Sequence, residues 1–173
     1  MIKKFFTPFF ALFVASFTVF VLVLDELDYV EIEPLYPVPE EIINILRPTE
    51  ELYMVNFFAS WCESCVKEIK YLGLIKAHMD LPIYGITVND SELNLNKMLG
   101  HNIHLFQKIE FSFPMQKLIA LNIDRIPRLM IIYKNNVIYD HKGEVNDRIS
   151  HKKIIPILTQ VQNLQHQDKN DSQ

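Results

Sequence analysis

Three short apolar runs in the middle of the chain are each typical of a buried β-strand. They are Leu52–Phe58, Ile83–Val88 and Leu129–Tyr133. Between the first two, apolar residues recur at helical spacing from Val66 to Met79, and Pro82 follows them. This spacing predicts an amphipathic helix that packs on a sheet and ends before the proline.

Weaker patterns predict further elements around these runs. Asn89-Asp90-Ser91 offers caps for a short helix over residues 93–99, and a second short helix is expected over residues 115–121. A strand over residues 137–141 pairs back across the turn at Lys134-Asn135-Asn136, and residues 150–164 form a last helix whose start depends on Pro156. Residues 100–114 show no clear pattern. The order of elements predicts an α/β fold with a central mixed β-sheet flanked by helices.

The N-terminal segment is apolar and uncharged from Phe5 to Leu24, between Lys3-Lys4 and Asp25. A helix of this length spans about 30 Å, the thickness of a membrane's hydrocarbon core. The two lysines should stay in the cytoplasm, so the rest of the chain is expected to be exported. The end of the run is bulky and no Ala-x-Ala follows, which favours a signal anchor, an N-terminal transmembrane helix, over a cleaved signal peptide.

The domain boundaries follow from this pattern. Residues 1–24 form the predicted anchor, and residues 25–39, which are acidic and spaced by prolines, form a predicted linker. Residues 40–164 make up the predicted folded domain. Residues 165–173 are polar throughout and are predicted to be a disordered tail.

Composition and charge argue against several kinds of partner and site. The net charge is −4 and the basic residues are scattered, which argues against a nucleic-acid partner. The chain has 2 cysteines, Cys62 and Cys65, too few for a disulfide framework and without the further ligands of a closed zinc site. His101 and His104 have no cysteine or carboxylate pattern beside them, so they are interpreted as loop residues rather than metal ligands. No cofactor is expected beyond a redox-active disulfide between the cysteines.

The two cysteines follow the first predicted strand and open the helix after it. The helix N-terminus has free N–H groups and a favourable dipole, which lower the pKa of the Cys62 thiol. Its thiolate can attack a disulfide, and Cys65, one turn along, can resolve the mixed disulfide. Copper(I) binding by the same thiols stays open as a different function.

The segment Val55-Asn56-Phe57-Phe58-Ala59-Ser60-Trp61-Cys62-x-x-Cys65-x-x-Glu68 resembles thioredoxin-like proteins of cytochrome c maturation, the DsbE/CcmG family. Similar to that family are also Tyr84–Asp90, Ile126-Pro127 before a strand, and the hairpin segment Asn136–Gly143. The resemblance covers roughly residues 35–160.

The resemblance implies a thioredoxin-like fold and a thiol:disulfide oxidoreductase. It also implies that the chain is a single-pass protein of the bacterial inner membrane, anchored through residues 5–24, with its domain in the periplasm. Such a protein receives electrons from a membrane thiol reductase and reduces apocytochrome c or a maturation thiol protein. It works in a compartment that oxidises thiols.

The resemblance also implies roles at the site. Pro127 is expected to be cis and to hold Ile126 so that backbone groups pair with an extended substrate. Trp61 is expected to border the substrate groove. Asn56 takes the place of a buried Asp of thioredoxin and is expected to pack as a polar group. Glu68 either relays a proton near the thiols or is a solvated charge on the helix.

Some residues depart from the family pattern. Arg125 and Arg128 flank Ile126-Pro127, and Arg128 is expected to place a positive charge near the active site, where it would favour the thiolate. Glu63-Ser64 lies between the cysteines where many relatives have a proline. Two alternative functions are a general periplasmic disulfide oxidoreductase and a copper-binding chaperone, although known chaperones of this kind have three residues between their cysteines. His141 matches a hairpin position and is expected to be structural.

Overall fold

The computed structural model describes the backbone of residues 32–170 and the side chains of residues 32–168. The predicted membrane anchor, residues 5–24, lies outside this range, as do the last three residues. Within the described range, none of the helices combines the length and the apolar character needed to cross a membrane.

The domain is built on a six-stranded mixed sheet with the spatial order β1-β6-β5-β2-β3-β4. Strands β2, β3 and β4 are parallel, whereas β5, β6 and β1 add antiparallel pairings. The strands are β1 (Tyr36–Pro37), β2 (Leu52–Phe58), β3 (Ile83–Val88), β4 (Phe106–Phe113), β5 (Arg128–Tyr133) and β6 (Asn136–Lys142). The predicted central mixed β-sheet is confirmed.

Helices cover both faces of this sheet. They are α1 (Glu40–Leu46), α2 (Glu63–His78), α3 (Glu92–Leu99), α4 (Met115–Ala120), the single turn α5 (Asp147–Ile149) and α6 (Ile155–Asn170). A 3₁₀ segment, Gly100–Leu105, follows α3, and a π-helical turn, Ser150–Ile154, joins α5 to α6. Regular α-helix resumes one residue before Pro156, whose missing N–H is tolerated in a first turn.

Two apolar clusters lie on opposite faces of the sheet. One contains both cysteines together with α2, α6 and the alternate residues Leu129 and Ile131 of β5. The other lies beneath α1 and α4 and contains Met130 and Ile132 of the same strand. This alternation follows from strand geometry, in which successive side chains point to opposite faces. The cysteines therefore belong to the α2 face of the sheet.

Two regions without a predicted element form strands. Residues 100–114 contain β4, which pairs in parallel with β3 at one edge of the sheet. Its apolar pattern is broken because an edge strand is partly solvated, so exposed Gln107 and Lys108 interrupt it. The predicted linker, residues 25–39, is wrong for its last part, because β1 bonds to the free edge of β6. Leu35 N donates to Val137 O at 2.8 Å.

The predicted tail is also corrected. Helix α6 continues to Asn170, whereas residues 165–173 were expected to be disordered. Residues 165–170 contain neither glycine nor proline, so nothing in them ends the helix. Lys134 Nζ lies 3.3 Å from Asp168 Oδ2 and ties this end to the hairpin turn. The folded domain is thus longer at both ends than residues 40–164.

Candidate active site

The redox pair lies where β2 passes into α2. Cys62 is the N-cap residue of α2, and its Sγ accepts a hydrogen bond from Cys65 N at 3.3 Å. The two residues form a disulfide with their Cα atoms 5.2 Å apart. A turn precedes the helix, in which Cys62 N donates to Ala59 O at 3.2 Å. The predicted strand-to-helix junction therefore has the geometry expected of a redox-active pair.

The two sulfur atoms differ in their surroundings. Cys62 is 8% exposed and lies at the N-terminus of α2, the positive end of the helix dipole, whereas Cys65 is fully buried. Glu63, an acidic residue between the two cysteines in sequence, forms an exposed ion pair with Lys67 at 2.7 Å. Its charge is balanced locally. Cys62 is therefore the more accessible of the two residues, and Cys65 is enclosed by the protein.

Glu68 is a buried carboxyl group, not a solvated charge. It lies one helical turn beyond Cys65 on the same face of α2 and is fully buried. Its Oε2 accepts a hydrogen bond from Val145 N at 3.2 Å, and its Oε1 has no hydrogen-bond partner. Burial raises the pKa of Glu68 to about 8, although the Val145 N–H and the neighbouring Asn56 lower it in part. Such a group can exchange a proton near neutral pH.

Asn56 is fully buried in β2 beside Glu68. Neither atom of its amide group makes a hydrogen bond of ordinary geometry. The proximity of the Asn56 amide group lowers the pKa of the Glu68 carboxyl group. The expected polar packing of Asn56 therefore occurs directly against the carboxyl group that α2 buries.

The peptide bond between Ile126 and Pro127 is cis, as expected. Pro127 is buried at the start of β5, and its carbonyl oxygen accepts a hydrogen bond from Gly143 N at 2.9 Å. Two residues later, Val145 N donates to Glu68. The segment Gly143–Val145 thus contacts both the proline loop and α2. The sequence analysis did not predict these two contacts because both use backbone N–H groups, which every residue except proline supplies.

Trp61 is 58% exposed at the tip of the turn before Cys62. Val66, one turn into α2, is also exposed. Large exposed apolar side chains beside a reactive sulfur are typical of a surface that contacts another protein. This exposure supports the expectation that Trp61 borders a substrate groove.

The expectation for Arg128 is wrong. Arg128 is 3% exposed, and its side chain lies on the sheet face of α1 and α4, opposite the cysteines. It forms a buried ion pair with Asp140. Its charge is therefore neutralised away from the thiols. Arg125 is exposed and pairs with Asp124 at 3.3 Å.

The histidines lie outside this site. His101 and His104 are exposed in the 3₁₀ segment, and His141 Nε2 lies 3.2 Å from Glu144 O. Among the described residues, no group of three or more His, Cys, Asp and Glu side chains could hold a metal ion. A groove of about 650 Å³ between α1 and β4 contains none of the predicted site residues.

Comparison with known proteins adds to this geometry. No protein-family model matches the sequence. The chain is 26% identical over 108 residues to a probable thiol:disulfide interchange protein DsbE-2 of Pasteurella multocida, and the match covers 62% of this chain and 56% of that protein. The chain therefore spans little more than half the length of its curated relative.

Solved structures share the fold. A thiol:disulfide interchange protein DsbE from Chlorobium tepidum superposes with a TM-score of 0.54 at 14% identity, covering 74% of this chain and 93% of that chain. The thioredoxin domain of a thiol-disulfide oxidoreductase from Bacteroides vulgatus gives a TM-score of 0.51 at 16% identity, covering 62% and 79%. The fold is thus thioredoxin-like, and the expected resemblance to DsbE is confirmed by the curated relative. The chain has a thioredoxin-like fold and is similar in sequence to a DsbE thiol:disulfide interchange protein.

Proposed function

We propose that this chain is a thiol:disulfide oxidoreductase that reduces disulfides of a partner protein through Cys62 and Cys65. One observation supports this more than any other. The Cys62–Cys65 disulfide closes at the N-terminus of α2, where Sγ of Cys62 accepts a hydrogen bond from Cys65 N. The same N–H group and the helix dipole stabilise a thiolate on Cys62 once the pair is reduced.

The reaction begins when the Cys62 thiolate attacks one sulfur of the substrate disulfide. A bond forms between Cys62 Sγ and that sulfur, and the substrate S–S bond breaks, releasing the other sulfur as a thiolate. Cys65 then loses its proton and attacks Cys62 Sγ. The Cys62–Cys65 disulfide forms and the mixed disulfide breaks, so two electrons pass to the substrate.

Glu68 provides the proton acceptor for the second step. Cys65 is fully buried, so its proton has no direct path to water. A carboxyl group with a pKa of about 8, one helical turn away, is mostly protonated at neutral pH, and its ionised fraction can accept the proton of Cys65. The negative charge of ionised Glu68 also disfavours an early thiolate on Cys65, which keeps Cys62 as the attacking sulfur.

The substrate and location belong to the same proposal. The curated relative supports thiol:disulfide interchange. The resemblance to DsbE/CcmG proteins supports the finer proposal of a reductant in the periplasm, acting on apocytochrome c or a maturation thiol protein. Electrons come from a membrane thiol reductase. Residues 5–24 anchor the chain in the inner membrane as a signal anchor, because they form an uncharged apolar run long enough to span it.

Measuring the reduction potential of the pair tests the direction of electron flow. Equilibration in glutathione or dithiothreitol buffers should give a potential lower than that of a strong disulfide-forming catalyst, which is about −120 mV. A potential as oxidising as that value would contradict a reducing role. Insulin reduction should be slow, because a dedicated reductant discriminates among substrates.

Trapping identifies the partner. Cys65→Ser removes the resolving thiol, so Cys62 should remain in a stable mixed disulfide with its substrate. Mass spectrometry of the trapped complex should recover an apocytochrome c or a maturation thiol protein. Cys62→Ser is the matched control and should trap far less. Recovery of many unrelated proteins would instead support a general periplasmic oxidoreductase.

A further inference from the structure

Asp90 is a buried carboxylate that contacts the turn before the redox pair. It follows β3 and is 6% exposed. Asn89, in the left-handed region with φ 47°, turns the chain so that Asp90 lies against the loop after β2. Within the described part of the chain, Asp90 forms no ion pair. Its charge is satisfied by hydrogen-bond donors alone.

Those donors come mainly from one residue of the turn. Ser60 N donates to Asp90 Oδ2, and Ser60 Oγ donates to Oδ1 at 2.8 Å. Ser91 N also donates to Oδ1, at 2.8 Å. Two bonds from Ser60 to the two oxygens of one carboxylate fix both its backbone and its hydroxyl. Bonds to a charged acceptor are about twice as strong as neutral ones.

Ser60 lies inside the turn that Cys62 N closes onto Ala59 O. Trp61 is at the tip of this turn and is mostly exposed, so core packing does little to set its direction. The backbone of the turn sets it instead. The Asp90 carboxylate holds that backbone from a different element, 30 residues along the chain from Ser60.

We propose that Asp90 is a positioning residue of the redox site, whose carboxylate fixes the Ala59–Cys62 turn and thereby the placement of Trp61 and of Cys62 Sγ. This inference rests on the proposed thiol:disulfide exchange. Asp90 does not touch the reacting sulfur atoms through any contact in the structure. It acts through Ser60.

The sequence allows a direct test because Trp61 is the single tryptophan of the chain. In the full chain, Asp90→Asn replaces one acceptor oxygen with an N–H₂ group that faces a donor from Ser60. We expect lower fluorescence anisotropy of Trp61 and stronger quenching by acrylamide. We also expect disulfide exchange to slow by about fivefold, within the range that losing a hydrogen bond to a charged group allows.

A matched control separates position from charge. Glu92→Gln removes an exposed carboxylate in the first turn of α3 and keeps the Ser60 contacts. Loss of a negative charge alone should lower the Cys62 thiol pKa and speed its alkylation at neutral pH. If Asp90 instead positions the turn, Asp90→Asn should slow disulfide exchange rather than speed it. If Asp90→Asn gives faster alkylation, undiminished exchange and unchanged Trp61 anisotropy, the inference is overturned.

Ser60→Ala keeps the test decisive if Asp90→Asn fails to fold. It removes only the hydroxyl bond, and we expect smaller changes in the same direction in anisotropy and in exchange. No change in either would overturn the inference. If the wild-type chain exchanges no disulfides, the proposed function fails, whereas the Trp61 readout still decides whether Asp90 holds the turn.

Discussion

Arg128 donates two parallel hydrogen bonds to Asp140 inside the domain: Nε lies 2.7 Å from Oδ1 and Nη2 lies 2.7 Å from Oδ2. Tyr36 of β1 joins them, its hydroxyl donating to Asp140 Oδ2 at 2.7 Å. Burial alone would raise the pKa of Asp140, but hydrogen bonds from Arg128 and Tyr36 hold it below its ordinary value. These three side chains connect the edge strand β1 to the central strands.

Replacing one partner of this buried pair should destabilise the fold. Arg128→Met leaves the Asp140 charge buried without its cation, which costs about 3–5 kcal/mol of unfolding free energy. Urea unfolding measures this loss. Arg125→Met is the control, since Arg125 is exposed, and it should cost at most about 1 kcal/mol. The Cys62 thiol pKa should be the same in both variants. A shift only in Arg128→Met would contradict the placement of Arg128 away from the thiols.

Glu68 should make stability depend on pH. Its folded-state pKa of about 8 exceeds its ordinary value, so the folded state binds more protons than the unfolded state between these values. Stability therefore falls as pH rises from about 5 to 8. Glu68→Gln keeps the shape and removes the titration, so its unfolding free energy should vary less over this range and exceed that of the wild type at pH 8. Equal slopes in the two proteins would contradict a buried, titrating Glu68.

Alkylation should distinguish the two thiols of the reduced protein. Cys62 is partly accessible at the helix N-terminus, whereas Cys65 is buried behind it. At neutral pH, iodoacetamide should therefore modify Cys62 first, by about tenfold or more, because thiolate fraction and access both favour it. Peptide mapping by mass spectrometry measures the ratio. The same protein unfolded in guanidinium should lose the preference, and a folded protein that reacts first at Cys65 would reverse the assigned roles.

Two glycines should respond to alanine in opposite directions. A Cβ on Gly85 would lie 2.9 Å from Phe58 Cε1 and 3.2 Å from Phe106 Cδ1, which belong to two stacked rings. We expect Gly85→Ala to cost about 1–3 kcal/mol through overpacking. A Cβ on Gly73, inside α2, would meet Leu105 at 3.8 Å, an ordinary contact. Gly73→Ala should stabilise by about 0.5–1 kcal/mol through helix propensity. Thermal unfolding of both variants compares them.

Strands that are buried on both faces of the sheet could be predicted from the sequence. Strands β2 and β3 match the predicted ranges because all their residues are buried, so each forms a largely apolar run. The cis bond at Pro127 was expected only through family resemblance. Strand β4 was missed because its solvated edge breaks the pattern.

Tertiary contacts were the harder part of the site. The sequence placed Glu68 on the face of Cys65 but did not decide whether it was buried, since burial depends on tertiary contacts such as the one with Val145. It placed Arg128 next to Pro127 along the chain. The alternation of β5 places Arg128 on the face of α1 and α4, and its partner Asp140 lies on the neighbouring strand β6. Proximity in sequence does not specify the face of a sheet until strand pairing is known.

The contacts of Gly143–Val145 bear on mutational tolerance. The N–H groups of Gly143 and Val145 bond the proline loop and Glu68, and every residue except proline supplies such a group. The side chain at Glu144, between them, can therefore vary without cutting either bond. A saturation library at position 144 should retain redox activity in nearly every variant. Val145→Pro, in contrast, should remove the hydrogen bond from the backbone of residue 145 to the Glu68 carboxyl group.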